Sequence, residues 1–197
     1  MLVIGITGSI GMGKSTVAGY FAEQGAASFD ADAAVHDLYQ RGGAAVAPVA
    51  AEFPGCVVDG EVERQTLAKT VFADTDALVK LENIVHPLVA AARDAFMAAS
   101  EKAGETLAVA EIPLLFESGA DAQVDVVVVV SAPPDVQLAR AMARPGMTQE
   151  RLQAVLARQM PDAEKRRRAD YVIDTGESFD ATRAQVADVI ADITAKG

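Results

Sequence analysis

Gly8, Gly11, Gly13, Lys14 and Ser15 fall within eight consecutive residues, Gly8-Ser9-Ile10-Gly11-Met12-Gly13-Lys14-Ser15. Three glycines so close together give up packing and helix propensity, so the chain must need a bare backbone there. The spacing satisfies G-x-x-x-x-G-K-[ST], with the apolar run "MLVIGIT" before it and a helical pattern after it. In that setting consecutive backbone N–H groups turn inward around a phosphate, and the helix N-terminus adds partial positive charge. Lys14 reaches the β- and γ-phosphates of a nucleotide as a point charge, and the Ser15 hydroxyl can ligate Mg²⁺. Thr16 either meets the α-phosphate or is an ordinary first-turn residue. The stretch predicts a site for the phosphates of a nucleoside triphosphate.

Two further groups of residues bear on what happens to that nucleotide. "FDADAAVHDLYQRGG" (29–43) puts Asp30 and Asp32 just after a short strand, and in a doubly wound sheet the carboxyl ends of strands face the ligand crevice. Asp30 is placed either to cap the next helix or to act in the site. Asp32 can hold an acceptor hydroxyl in line with a γ-phosphate, or merely complement the helix dipole. Between Arg140 and Arg168 lie eight of the 17 Lys and Arg residues against three acids, a local +5 in a chain of net charge −11. That segment fits a small anionic ligand or a solvated helix face. The guanine-reading pattern N-K-x-D and the γ-phosphate sensor D-x-x-G are absent, which argues against a guanine-nucleotide switch.

The elements that must position these residues alternate along the chain. Short apolar runs read as strands at 2–7, 26–29, 106–112, 124–130 and 170–174, and helical patterns at 14–24, 148–159 and 179–195 lie among them. The fold class is α/β: a five-stranded parallel sheet covered by helices on both faces, the three-layer P-loop NTPase architecture. Between the second and third strands about 75 residues intervene, far more than the dozen or so a parallel crossover requires. This insertion holds helical patterns and a hairpin-like "CVVDGEVE" turning at Asp59-Gly60. The reading is one kinase-like domain with a core of about 1–30, 104–139 and 169–197, a substrate subdomain at 31–103 and a lid at 140–168.

At 197 residues and 51% apolar composition, the chain can bury a sizeable core. The net charge argues against non-specific nucleic-acid binding. Cys56 stands alone, which excludes an internal disulfide, and the valine run 126–130 is too short to cross a bilayer. No secretory signal is visible. These features predict a soluble, cytoplasmic protein with a small-molecule partner and no nucleic-acid or membrane partner.

"TGSIGMGKST" at the start, "DAD" (30–32), "HPLV" (86–89), "PLLFE" (113–117), Arg140 with Arg144, and "ADYVID" (169–174) occur in the order and spacing of dephospho-CoA kinases, a family the whole chain resembles. The resemblance implies an enzyme that uses ATP to phosphorylate the ribose 3′-hydroxyl of dephospho-CoA. The products are CoA and ADP, in the last step of coenzyme A biosynthesis. It assigns Gly11, Met12, Gly13, Lys14, Ser15 and Thr16 to the ATP phosphates and Asp32 to catalysis on the acceptor side. Arg140 goes to ATP and to charge developing in transfer, a role suited to a forked guanidinium on a mobile segment. The motif also puts His86 near the acceptor, although a His before Pro is ordinarily a corner of extended geometry. "PLLFE", with Leu114, lines the acceptor pocket, and Glu117 is either a polar contact or a loop cap. Glu111 is a candidate for holding Mg²⁺ through water. Three positions depart from the family pattern: Met12 where a small residue is common, Arg41 where many members have Pro, and Thr175 where Asn often contacts the adenine. Alternatives are a kinase for another small hydroxylated metabolite and an ATP-binding module without transfer.

Overall fold

The computed structural model describes residues 1–72 and 74–196, without the side chains of Phe72 and Thr75. Ala73 and Gly197, within the ranges assigned above to the insertion and the core, lie outside the described residues. The chain divides into two compact units, one of Met1–Phe29 with Ser100–Gly197 and the other of Asp30–Ala99.

In the first unit five strands run parallel: β1 (Leu2–Thr7), β2 (Ala27–Phe29), β5 (Leu107–Glu111), β6 (Val126–Ser131) and β7 (Tyr171–Asp174), in the order β2-β5-β1-β6-β7. β1 sits at the centre, and β6 is buried along all but its first residue. That burial on both faces is why its valines show no polar alternation. The helices of this unit are α1 (Lys14–Glu23), α6 (Pro134–Met142), α7 (Gln149–Ala157), α8 (Asp162–Arg168) and α9 (Phe179–Lys196). α1 and α9 pack on the sheet through Val17, Phe21, Val186, Val189 and Ile193, all buried in one cluster with Ile4, Ile6, Val128 and Ile173. The expected five-stranded parallel sheet is therefore present. The run 162–168, which lies outside the helical patterns read from the sequence, forms α8, with acids in its first turn and four cations in its last. That charge order suits the helix dipole.

The second unit comprises α2 (Ala31–Tyr39), α3 (Val46–Glu52), the two-residue strands β3 (Val57–Val58) and β4 (Glu61–Val62), α4 (Arg64–Phe72) and most of α5 (Thr75–Lys102). The hairpin turns at Asp59 and Gly60, whose φ values of 52° and 82° are the left-handed pair of a type I′ turn. His86-Pro87 is not an extended corner: Pro87 lies inside α5. Proline there removes one helix hydrogen bond and costs about 3 kcal/mol or more. Leu78, Leu81, Val85 and Leu88 form one apolar stripe spanning the proline and packed into the unit's core. Burial of that stripe outweighs the local preference.

Candidate phosphate-binding and acceptor residues

The loop joining β1 to α1 is shaped by close backbone approach. A Cβ on Gly8 would stand 2.3 Å from the Val130 carbonyl oxygen, and one on Gly11 would stand 2.7 Å from that of Gln137. Gly11 also has φ +81°, so any side chain there is excluded twice over. Gly13 occupies the N-cap of α1 and Lys14 its first turn. The loop thus delivers a helix N-terminus with no acidic residue in its first turn, an arrangement suited to an anion.

Lys14 is 8% exposed, and its Nζ donates to the Ser9 carbonyl at 3.3 Å, curling the side chain back over the loop. Burial pushes this ammonium below its ordinary pKa, Glu111 opposes that shift, and Arg144 and Lys165 add to it. Three cations therefore bear on one point. Ser15 and Thr16 are exposed on the first turn. The Ser15 hydroxyl donates to Glu111 Oε1 at 3.3 Å, and Glu111 ends β5, paired with Ile6 of β1. A hydroxyl and a carboxylate side by side are hard oxygen donors, which fits Mg²⁺. No cluster of three or more His, Cys, Asp or Glu occurs among the described residues. A magnesium ion at this pair would take its remaining ligands from phosphate oxygens and water, its usual mode.

Three side chains hold the loop from outside. Gln137 Nε2 donates to the Ile10 carbonyl at 2.9 Å, the Ile10 N–H donates to Gln159 Oε1 at 3.1 Å, and Thr175 Oγ1 donates to the Met12 carbonyl at 2.8 Å. The Met12 side chain is buried in the core, where its sulfur accepts from the Ala132 N–H at 3.1 Å. The Met12 backbone N–H donates to the Ser9 carbonyl at 3.3 Å. Thr175, 5% exposed, is committed to the protein rather than to a base. Sequence reasoning did not find the two glutamines. Each sits in an ordinary helical context, and no motif spacing marks it.

Arg140, near the end of α6, donates from both terminal nitrogens to Thr175, at 2.9 Å to Oγ1 and 2.7 Å to the carbonyl. Its guanidinium is thus anchored at the end of β7. Arg144 is exposed, whereas Arg151 donates to the Gly146 carbonyl at 2.6 Å and ties down its own loop. Of the basic tract 165–168, the three arginines are exposed and Lys165 is fully buried. Lys165 Nζ lies 2.9 Å from Glu117 Oε1, and the same carboxylate oxygen accepts from the Met160 N–H at 2.6 Å. Burial alone would raise the Glu117 pKa, but the hydrogen bonds from Lys165 and Met160 outweigh it and hold the carboxyl below its usual range. Glu117 therefore staples the loop after β5 to α8. Within "PLLFE", Leu115 and Phe116 are buried in a core cluster, whereas Leu114, 40% exposed, offers an apolar surface to a ligand.

In the other unit Asp30 is the N-cap of α2, accepting from the N–H groups of Asp32 and Ala33 at 2.9 and 3.0 Å. Asp32 is exposed on the first turn, its backbone fixed by that cap. His86 is exposed on α5.

The family profile described as dephospho-CoA kinase (CoaE) matches residues 2–180. A dephospho-CoA kinase of Brucella melitensis is 55% identical over 196 residues, covering 100% of this chain and 97% of its own. A solved structure from Thermus thermophilus superposes with a TM-score of 0.76 at 36% identity, covering 97% of each chain. The dephospho-CoA kinase from Campylobacter jejuni superposes with a TM-score of 0.69 at 26% identity, covering 97% of this chain and 96% of its own.

Proposed function

The chain belongs to the dephospho-CoA kinase family, and on that premise we propose how its own residues transfer the γ-phosphoryl group of ATP to the ribose 3′-hydroxyl of dephospho-CoA. The observation that carries the reading is the buried Lys14 in the first turn of a helix whose N-terminus bears no acid, behind a glycine loop shaped by close backbone approach. An ammonium whose charge is disfavoured by burial gains most from an incoming polyphosphate.

The loop amides of Gly11, Gly13, Lys14, Ser15 and Thr16 receive the ATP phosphates, and Lys14 neutralises the β- and γ-oxygens. Ser15 would hold Mg²⁺ with Glu111 orienting its hydroxyl, and the ion when bound would supply charge neutralisation for the phosphates. Asp32 accepts the proton of the 3′-hydroxyl and aims its oxygen at the γ-phosphorus. The new O–P bond forms as the bond to the β-γ bridging oxygen breaks, and ADP leaves with that electron pair. Arg140, whose guanidinium is held at Thr175, meets ATP and the charge developing in transfer, and the exposed Arg144 adds a second cation, whereas Arg151 is engaged with Gly146. Arg140 supports the site by holding Thr175 beneath the loop. Segment 31–103 supplies acceptor contacts, His86 among them, and Leu114 is an apolar contact from the loop after β5. Within 140–168 the part before Gln159 is the closing segment, because Met160, Asp162 and Lys165 are tied down. Glu117 acts through Lys165 rather than on substrate.

A coupled assay of ADP release tests the reading. Release should depend on dephospho-CoA and remain at background with adenosine or gluconate. Stimulation by a rival acceptor and none by dephospho-CoA would overturn it.

A further inference from the structure

Ile10 is the third residue of the phosphate loop, and both polar groups of its backbone are taken by side chains from outside the loop. Gln137, on α6, donates to its carbonyl at 2.9 Å; Gln159, just beyond α7, accepts its N–H at 3.1 Å. The Gln137 backbone carbonyl is also the atom that a Cβ on Gly11 would strike, so α6 touches the loop through side chain and main chain alike. Beyond Gln159 the chain stays anchored. Met160 donates to Glu117, and Asp162 Oδ2 accepts from the Ser131 hydroxyl at 2.8 Å. A residue fixed at this corner is a firm point from which to hold a glycine-rich loop.

We infer that Gln137 and Gln159 are a pair of positioning residues that preset the phosphate loop for ATP. By occupying the Ile10 N–H and carbonyl, they fix the turn in which the Met12 N–H donates to the Ser9 carbonyl at 3.3 Å, and leave the amides of Gly11, Gly13, Lys14, Ser15 and Thr16 for phosphate. Without the pair, the loop spends part of its time in conformations that cannot bind, and apparent affinity falls by that fraction. This inference rests on the assignment of the loop to ATP, not on the identity of the acceptor. Its test therefore uses nucleotide binding without dephospho-CoA.

Gln159→Met keeps the length and volume of the side chain and removes the acceptor; Gln137→Met does the same for the donor. For each, the dissociation constant of Mg·ATP is measured by calorimetry, and exchange of the Ile10 amide by NMR. Each variant should bind ATP about tenfold more weakly, as when the competent loop is only a tenth populated. The Ile10 amide should exchange faster in Gln159→Met, and Gln159→Glu, which keeps an acceptor oxygen, should restore its protection. The double variant should lose less than the product of the two single losses, because both hold one residue. In turnover, KM for ATP should rise while KM for dephospho-CoA stays within about twofold of the parent value, as uniform binding to the donor requires. Wild-type ATP affinity in both Met variants, or a lowered melting temperature with unchanged ATP affinity, would overturn the inference. If Gln159→Met does not fold, Gln137→Met alone decides it by the same affinity. Loss of dephospho-CoA turnover with wild-type ATP binding would instead count against the acceptor assignment and leave the clamp standing.

Discussion

At the scale of single residues, charge and burial decide which side chains touch phosphate and which hold other side chains. Lys14 belongs to the first kind, and Lys14→Ala should abolish turnover while the protein still melts cooperatively, checked by ADP release and calorimetry. Asp32 is exposed on the first turn of α2, so its replacement removes chemistry with little effect on packing. Asp32→Asn should lower kcat by about 10²-fold or more, the usual scale for a positioned base, with ATP affinity unchanged. A near-normal kcat would remove the carboxylate from the mechanism. Glu117 belongs to the second kind. Glu117→Gln leaves the fully buried Lys165 without its counter-ion, and an ammonium left buried and unpaired should lower the melting temperature. The dependence on pH has a definite sign. The folded-state pKa of Glu117 is depressed, so its contribution is present above the unfolded carboxylate value of 4.5 and fades as pH falls through the lower folded value. Melting curves of parent and Glu117→Gln should therefore be far apart at neutral pH and converge under acid.

At the scale of elements, the parts legible in the sequence are those whose cause is local. β1 and β6 could be read because strands buried on both faces have no polar positions, and the loop because its glycines, Lys14 and Ser15 act through their own backbone and side chains. The Asp59-Gly60 turn was legible for the same reason. What escaped was set by tertiary contact. His86-Pro87 obeys the packing of Leu81, Val85 and Leu88 rather than proline's preference, and the run 162–168, outside the helical patterns read from the sequence, forms a helix. Gln137, Gln159 and the Thr175–Arg140 pair gain their roles only when α6, α7 and β7 meet the loop. Two substitutions test the balance. Pro87→Ala restores the helix donor without touching the apolar stripe, so it should raise the melting temperature, read by calorimetry. Asp30→Ala removes the α2 cap and should cost about 1 kcal/mol, most of it recovered by Asp30→Ser. Because Asp30 fixes the Asp32 backbone, kcat should fall with the cap and return with serine. Loss of stability with kcat unchanged would separate the cap from the acceptor residue.

At the scale of the whole molecule, an acidic protein must attract two acidic substrates. The chain carries −11 overall, yet the window 140–168 carries +5, which leaves −16 on everything else. At physiological ionic strength the Debye length is about 8 Å, so charges farther away are largely screened, whereas buried and partly buried charges are not. Lys14 is buried and the charges of Arg144 and Lys165 reach it, so the local pull on phosphate should survive salt better than the repulsion from the distant surface. Two opposing trends follow, and their sum has a testable sign. At very low salt the net negative charge slows the approach of ATP, and modest salt should raise kcat/KM. Above about 0.15 M the long-range part is spent, and further salt weakens only the local attraction, so kcat/KM should pass through a maximum and decline. Arg144→Ala should lower that maximum and flatten the decline, because it removes an exposed member of the cluster. Arg166→Ala, equally cationic and exposed on α8, should leave the profile nearly unchanged. A steady fall from the lowest salt onward in the parent would mean that local attraction governs approach at every distance, and the acidic surface would then have no part in substrate capture.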